Sequence, residues 1–267
     1  MDSTRVDPEV LERGGVRLEE NGLVATITLN RPASKNSQTP STWVALRAIG
    51  AALSSSVRVV VIKGEGETFS SGLDRRMLSL EGVEGEASIM NLLDMPDGEM
   101  AESIAGWQEG FTWLRRPDLV SIAAVQGAAV GAGFQLALSC DLRVLTEDAK
   151  FSMREPILGL VPDLTGTKPL VALVGYSRAL EICATTRWVT ADEARVLGLA
   201  TAVVPRAELD EAVDDLVAAL TAPLYGAVTA TKALLQSATV LDLEDQRRAE
   251  REAQVGRFRE LAALMGE

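Results

Sequence analysis

Gly131 and Gly133 stand in the stretch 119–141, where a β-branched apolar run gives way, after Gln126-Gly127, to a second apolar run that suits a helix. A helix start leaves backbone N–H groups without intrahelical partners at the positive end of the macrodipole. Glycine there lets a ligand approach the backbone, so the place can hold a developing anion. The same small residues also serve close strand–helix packing, and the Gly-Ala-Gly spacing alone does not choose between the two uses. The chain has no histidine, which removes imidazole as general base, proton shuttle and metal ligand. Ser-His-Asp and Cys-His schemes are thereby excluded, and acid–base work falls to Asp and Glu with pKa values raised by burial.

Such groups need a scaffold. Residues 16–20 and 23–29, separated by Asn21-Gly22, predict a β-hairpin. A polar loop follows that places two cations, Arg31 and Lys35, at the end of a strand, and Pro40-Ser41 starts a helix through about residue 53. A buried strand over 57–63 turns through 64–68 into Phe69-Ser-Ser-Gly-Leu-Asp74. The same strand, loop and small-residue helix start recur in 119–141, so two units ending in open N–H groups could face one pocket. Residues 78–100 are acid-rich and interrupted by Gly82, Gly85, Pro96 and Gly98, and read as a mobile surface excursion or lid. Helical spacing resumes over 102–114, with Ile104, Trp107, Phe111 and Leu114 as a core stripe. A strand over 142–146 leads to a long loop, 149–166, that carries Glu155 and Asp163. From there helices dominate, one of them opened by a Thr190/Glu193 capping box, and those over 209–220, 225–236 and 241–264 are amphipathic or charged. The predicted organisation is a flexible N-terminus (1–15), a strand–helix core (16–200) and a C-terminal helical region (201–267) for oligomerisation.

The bulk composition narrows the classes. With 267 residues, 47% of them hydrophobic, the chain can bury a large core. Its net charge of -12 excludes a general affinity for nucleic acid or anionic membrane, so an anionic ligand must be met by a local basic cluster. No apolar run reaches the roughly 18 residues that would span a bilayer, and the first residues lack the apolar centre of a secretion signal. Cys140 and Cys183 lie in apolar surroundings and read as reduced thiols of a cytoplasmic protein. No metal site is expected.

Four motifs, in order, resemble the crotonase superfamily of enoyl-CoA hydratases and isomerases. They are Phe69-Ser-Ser-Gly-Leu-Asp74, the stretch from Ala123 to Asp141, the stretch from Phe151 to Thr167, and Thr190-Ala-Asp-Glu-Ala-Arg-Val-Leu-Gly-Leu-Ala. The resemblance runs from about Val16 to the C-terminus. It implies an α/β fold, a crotonase-like spiral of ββα units with a C-terminal helical region, assembled as a homotrimer or hexamer and binding an acyl-CoA thioester. Coenzyme A would arrive as part of the substrate, with no separate cofactor. By match to the motifs, the backbone N–H groups of Ser71 and Ala132 would form the oxyanion hole, with Gly72, Leu73, Gly131 and Gly133 lining it. Arg31 and Lys35 sit in the segment that resembles the family's CoA-binding loop, and Arg75 and Arg76 are further candidates for the phosphates.

The acids set the expected reaction. Hydratases of the family carry two glutamates that hold a water, at the positions of Gln135 and Glu155; here one is an amide, which cannot accept the water's proton at neutral pH. A lone glutamate at Glu155 resembles the double-bond isomerases, and Asp163 stands where the dienoyl-CoA isomerases and some ring-opening isomerases place an acid. Against this, the dienoyl enzymes have an aspartate where Gln135 stands. Asp163 also suits a turn after Pro162. The leading expectation is therefore double-bond migration through a thioester enolate. Beside it stand 2-enoyl-CoA hydration with Gln135 orienting the water, and acyl-CoA binding without catalysis.

Overall fold

The computed structural model describes residues 6–86 and 88–266. Its first element is α1 (Pro8–Gly14), where Asp7 accepts a hydrogen bond from the Glu9 N–H at 2.9 Å and Gly15 closes the helix in a left-handed conformation. Val6, Val10 and Leu11 pack onto the main core. The expectation of a flexible segment up to residue 15 is corrected for residues 6–15: a capped helix with an apolar face is held by tertiary contacts. Residues 1–5 lie outside the described residues.

The chain then repeats one pattern: a strand of a main sheet, a short strand or single bridge in a second layer, and a helix. β1 (Val16–Asn21) and β2 (Val24–Leu29) form the expected hairpin. Asn21 pairs with Val24, so the loop is Gly22-Leu23, with Gly22 at φ 60, one residue beyond the expected turn. α2 (Pro40–Ala52) and β3 (Val59–Gly64) follow, then α3 (Asp97–Thr112). The next turns of the spiral comprise β4 (Val120–Val125), β5 (Ala128–Val130), α4 (Ala132–Ser139), β6 (Leu142–Thr146) and β7 (Lys150–Ser152). After α5 (Thr167–Val174) and α6 (Tyr176–Thr185) come β8 (Val189–Thr190), α7 (Ala191–Val196) and β9 (Ala202–Val204). The main sheet has six strands in the order β1-β2-β3-β4-β6-β9, and the second layer is β5-β7-β8. Isolated bridges Ser70↔Ala129 and Gln38↔Leu73 extend that layer toward the earlier units. This is the expected spiral of ββα units.

β2, β3, β4, β6 and β9 are parallel, and β3 and β4, buried on both faces, read as continuous apolar runs for that reason. Val60, Ile62, Ala123 and Val125 face the main core, while Val59, Val61, Ile122 and Ala124 face α8 (Leu209–Thr221) through Leu209 and Val213. β9 and α8 therefore belong to the core, and the boundary expected at 201 is corrected. The helices that stand apart are α9 (Tyr225–Ser237) and α10 (Leu243–Met265). α9 is tied to the core by Lys232, whose ammonium donates to the Leu119 carbonyl at 2.6 Å and to Asp141 at 2.7 Å.

Two further expectations are corrected. Residues 78–86 and 88–100 are not a loose excursion; residue 87 lies outside the described residues. Ile89–Asp94 form a 3-10 helix, α3 begins at Asp97, and the Ser88 hydroxyl donates to the Met77 and Ser79 carbonyls at 3.1 and 3.0 Å. Glu86 meets the start of α2, accepting from the Thr39 hydroxyl at 2.5 Å and the Ser41 N–H at 3.3 Å. An anion at a helix N-terminus is a favourable anchor, and only tertiary structure brings it there. The loop expected over 149–166 contains β7 and a 3-10 helix, Glu155–Leu158.

Candidate active site

The loop after β2 and the loop after β3 are stapled by one buried amide. Asn36 donates to the Glu65 and Thr68 carbonyls at 2.9 and 2.7 Å and accepts from the Arg31 N–H at 3.0 Å. Arg31 itself is spent: its guanidinium donates to the Ser37 carbonyl at 2.9 Å and reaches Asp74 at 3.3 Å. Arg76 forks onto the same carboxylate at 3.0 and 2.8 Å. Arg76 first, with Ser37 adding a hydrogen bond, holds Asp74 down at about 2. The expectation that Arg31 is free to meet an anionic ligand is therefore corrected; it shapes the loop. Lys35 and Arg75 stand exposed, and neither joins an ion pair among the described residues.

The segment 69–74 enters the second layer, where Ser70 pairs with Ala129. The Ser70 hydroxyl donates to the Asn36 carbonyl at 2.7 Å and accepts from Gln38 and from the Gly72 N–H. The Ser71 N–H donates to the Lys35 carbonyl at 2.9 Å, and its hydroxyl to the Ser34 carbonyl at 3.2 Å. The expectation that the Ser71 amide is an open donor is corrected. Gly72, at φ 81, turns the chain, and the next amide, that of Leu73, has no acceptor among the described residues. Sequence reasoning passed over Leu73 as a donor, and the signal was the glycine before it.

Gly131 caps α4 at φ 51 and ψ -118, a conformation closed to side-chain-bearing residues. The Ala132 N–H, first in the helix, has no acceptor among the described residues. A methyl group on Gly72 would collide with the Val130 carbonyl oxygen and lie 3.4 Å from the Ala132 nitrogen, so the two amide-bearing segments are in contact. Gly133 serves packing: a Cβ there would sit 2.7 Å from that of Ser70. Its expected place in the ligand lining is corrected to a strand–helix contact. The far end of α4 is fixed by cations, as suits a helix C-terminus. Arg143 donates to the Cys140 carbonyl at 2.8 Å and the Leu199 carbonyl at 2.5 Å, and Arg115 to that of Leu138 at 2.9 Å.

α4 is wholly buried and carries Gln135 on its inner side. The Gln135 amide donates to Glu155 Oε1 at 2.7 Å, while its carbonyl accepts from the Leu164 and Gly166 N–H groups at 2.8 and 3.2 Å. Glu155 is 9% exposed, and its Oε2 is buried without a hydrogen-bond partner among the described residues. Burial pushes the Glu155 carboxyl up and Asp163 adds repulsion, while its own backbone N–H, the Gln135 hydrogen bond and the Arg154 N–H pull the other way. A Cβ on Gly131 would lie 3.2 Å from Glu155 Oε1, so the carboxylate lies over the start of α4. Asp163 is also pushed up by burial, and its backbone carbonyl accepts from Gln108 at 2.6 Å. Cys183, on α6, comes near enough to Glu155 for the carboxylate, after burial, to raise its thiol. Nothing in its sequence context signalled that.

A parallel spiral that leaves two backbone amides open beside a desolvated carboxylate defines a class of protein, one that can hold an oxyanion next to a general base. The chain belongs to the enoyl-CoA hydratase/isomerase family, whose model matches residues 19–266. It is 30% identical over 232 residues to the peroxisomal Delta(3,5)-Delta(2,4)-dienoyl-CoA isomerase of Arabidopsis thaliana, covering 86% of this chain and 83% of that protein. To the short-chain-enoyl-CoA hydratase of Clostridium acetobutylicum it is 32% identical over 206 residues, with 74% and 72% covered. Among solved structures, a Thermobifida fusca YX protein assigned to the enoyl-CoA hydratases and crystallised with acetoacetyl-CoA superposes with a TM-score of 0.92. It is 52% identical over 96% of this chain and 99% of that one.

Proposed function

We propose that this chain binds an acyl-CoA thioester and moves a carbon–carbon double bond along its acyl group. The thioester oxygen sits between the Leu73 and Ala132 N–H groups, which acidify the α-carbon and hold the enolate. Glu155 takes the α-proton and returns one to the far end of the conjugated system, with Asp163 sharing delivery across a dienoyl chain. The observation that carries this reading is that a single carboxylate, Glu155, faces an amide, Gln135, at 2.7 Å. With both carbonyl lone pairs of Gln135 committed to the Leu164 and Gly166 N–H groups, none is left to orient an attacking water. The solved relative with acetoacetyl-CoA supports a thioester in this pocket. Lys35 and Arg75 are the exposed cations available to the CoA phosphates.

Purified protein given a 3-enoyl-CoA, a 3,5-dienoyl-CoA and a 2-enoyl-CoA should shift the bond in one of the first two and add water to the third slowly. Product chromatography checks both. Fast hydration would reverse the reading to a hydratase, and tight binding without turnover of any thioester would make it a binding protein.

The assembly is a homotrimer or hexamer. α10 has no buried residue and exposes Val255, Phe258, Leu261 and Leu264. Beneath α9, an apolar-walled groove of about 1280 Å³ opens between Val171, Leu220, Val228 and Leu235. Apolar surface of this extent calls for a covering partner. Sedimentation equilibrium should give three or six copies, and a monomer would refute the assembly.

A further inference from the structure

Gln135 and Glu155 meet in a way that treats the two carboxylate oxygens unequally. The Gln135 carbonyl takes two backbone donors, Leu164 N–H at 2.8 Å and Gly166 N–H at 3.2 Å. Both can reach one oxygen because the residue between them, Thr165, is held at φ 69, in the left-handed region. Successive N–H groups turned inward in this way form a concave cradle for an acceptor. Reversing the amide would set its NH2 against two N–H donors and its carbonyl against a carboxylate. Three like-signed contacts forbid the reversal, so the NH2 must face Glu155 Oε1, where it lies at 2.7 Å. Oε2, sealed from solvent, has no partner among the described residues. Gly131 leaves room for the carboxylate in this pose, since any Cβ there would press on Oε1 at 3.2 Å.

We infer that Gln135 is a positioning residue that occupies Oε1 of Glu155 and so confines proton transfer to Oε2. This rests on the reading of Glu155 as the base that removes the α-proton. In that step the C–H pair of electrons moves into the thioester enolate, the proton forms a bond to Oε2, and the same O–H bond breaks when a proton returns to carbon. No oxidant or other co-reactant is needed. An oxygen already accepting a hydrogen bond is the weaker base, and an unpaired one in a dry site is the stronger. The Gln135 hydrogen bond also favours the ionised form of Glu155, against the burial that raises it.

Two substitutions separate this role from simple anchoring of the loop. Gln135→Met removes both the donor and the acceptor. Gln135→Glu keeps an oxygen for the Leu164 and Gly166 N–H groups but removes the donor, and sets a second acid against Oε1. Selective ¹³C labelling of glutamate carboxyls allows Glu155 to be titrated by NMR in the free protein, assigned by its loss in Glu155→Gln. The Glu155 titration should move to higher pH in both variants, further in Gln135→Glu. In turnover of whichever thioester is isomerised, the acidic limb of the pH profile should rise in the same order. kcat should fall about tenfold to a hundredfold while KM changes little. If Gln135 only anchors the loop, Glu155 would titrate in Gln135→Met as in the native protein, and that result would overturn the inference, whereas a second acid beside Oε1 raises Glu155 in Gln135→Glu in either case. Absence of isomerase activity in the native protein would count against the proposed reaction alone, because the NMR titration reads the Gln135–Glu155 coupling without turnover. Should Gln135→Met not fold, Gln135→Leu, which also lacks the donor and adds no charge, gives the same titration.

Discussion

Replacing Glu155 by glutamine should reduce double-bond migration by about a hundredfold or more while leaving thioester binding within a few-fold of native. The side chain is the same length, and Gln135 can still donate to its carbonyl, so geometry is kept and only the capacity to accept a proton at Oε2 is lost. Stability should move the other way. The Glu155 carboxyl is pushed up by burial, with Oε2 unpaired, so the folded chain holds the protonated form more readily than the unfolded chain does. Keeping it ionised at neutral pH therefore costs stability. That cost is absent below the unfolded-state pKa, where both states are protonated; it grows as the pH rises from the unfolded to the folded value and is complete above the folded one. Glu155→Gln should be more stable than the native protein at pH 7.5 by on the order of 1 kcal/mol, and no more stable at about pH 4. Urea unfolding at the two pH values checks this. Equal stabilities at pH 7.5 would mean that Oε2 is solvated after all.

Gly72→Ala should lower kcat by about 10²- to 10³-fold for a different reason. Gly72 sits at φ 81, and an added methyl would run into the Val130 carbonyl oxygen, which is backbone and has nowhere to go. Left-handed strain of about 1–2 kcal/mol adds to an overpacking cost of about 1–3 kcal/mol. Relief requires the 69–74 segment to lift from β5, which carries the Leu73 amide away from that of Ala132. Loss of one such donor costs about 10²- to 10³-fold in kcat. Gly198→Ala is the control. Gly198 has φ 75 with nothing within 4 Å of the added atom, so that variant meets the strain without the collision. It should lose about 1–2 kcal/mol and keep full turnover. Thermal unfolding and kcat measured on both variants give the comparison, and a fully active Gly72→Ala would remove Leu73 from the oxyanion hole.

Much of the scaffold was legible without coordinates. The hairpin, β3, β4 and β6 follow from β-branched runs bounded by turn residues. α8 and α9 follow from helical spacing, and the Thr190 cap holds the Glu193 N–H at 3.3 Å as its position suggests. Glu193 itself goes to Arg187 rather than back to the cap. The elements that escaped are those whose stability is not local. α1 and the 3-10 helix Ile89–Asp94 are too short or too polar to announce themselves, while β5 and β7 are three-residue strands that exist only because each has a partner in the second layer.

At the site the division is sharper. By itself the sequence determined that there is no imidazole, that carboxylates must move any proton, and that small residues at the start of α4 leave its first amides open. Only the tertiary structure decided that Arg31 belongs to Asp74, that the Ser71 amide is taken by the Lys35 carbonyl and the Leu73 amide is not, and that Gln135 grips one oxygen of Glu155. Hydrophobic periodicity is a property of neighbours along the chain and survives in one dimension. Whether a given N–H, amide or carboxylate oxygen is already satisfied depends on partners 20, 36 or 43 residues away, and those are fixed only when the spiral closes.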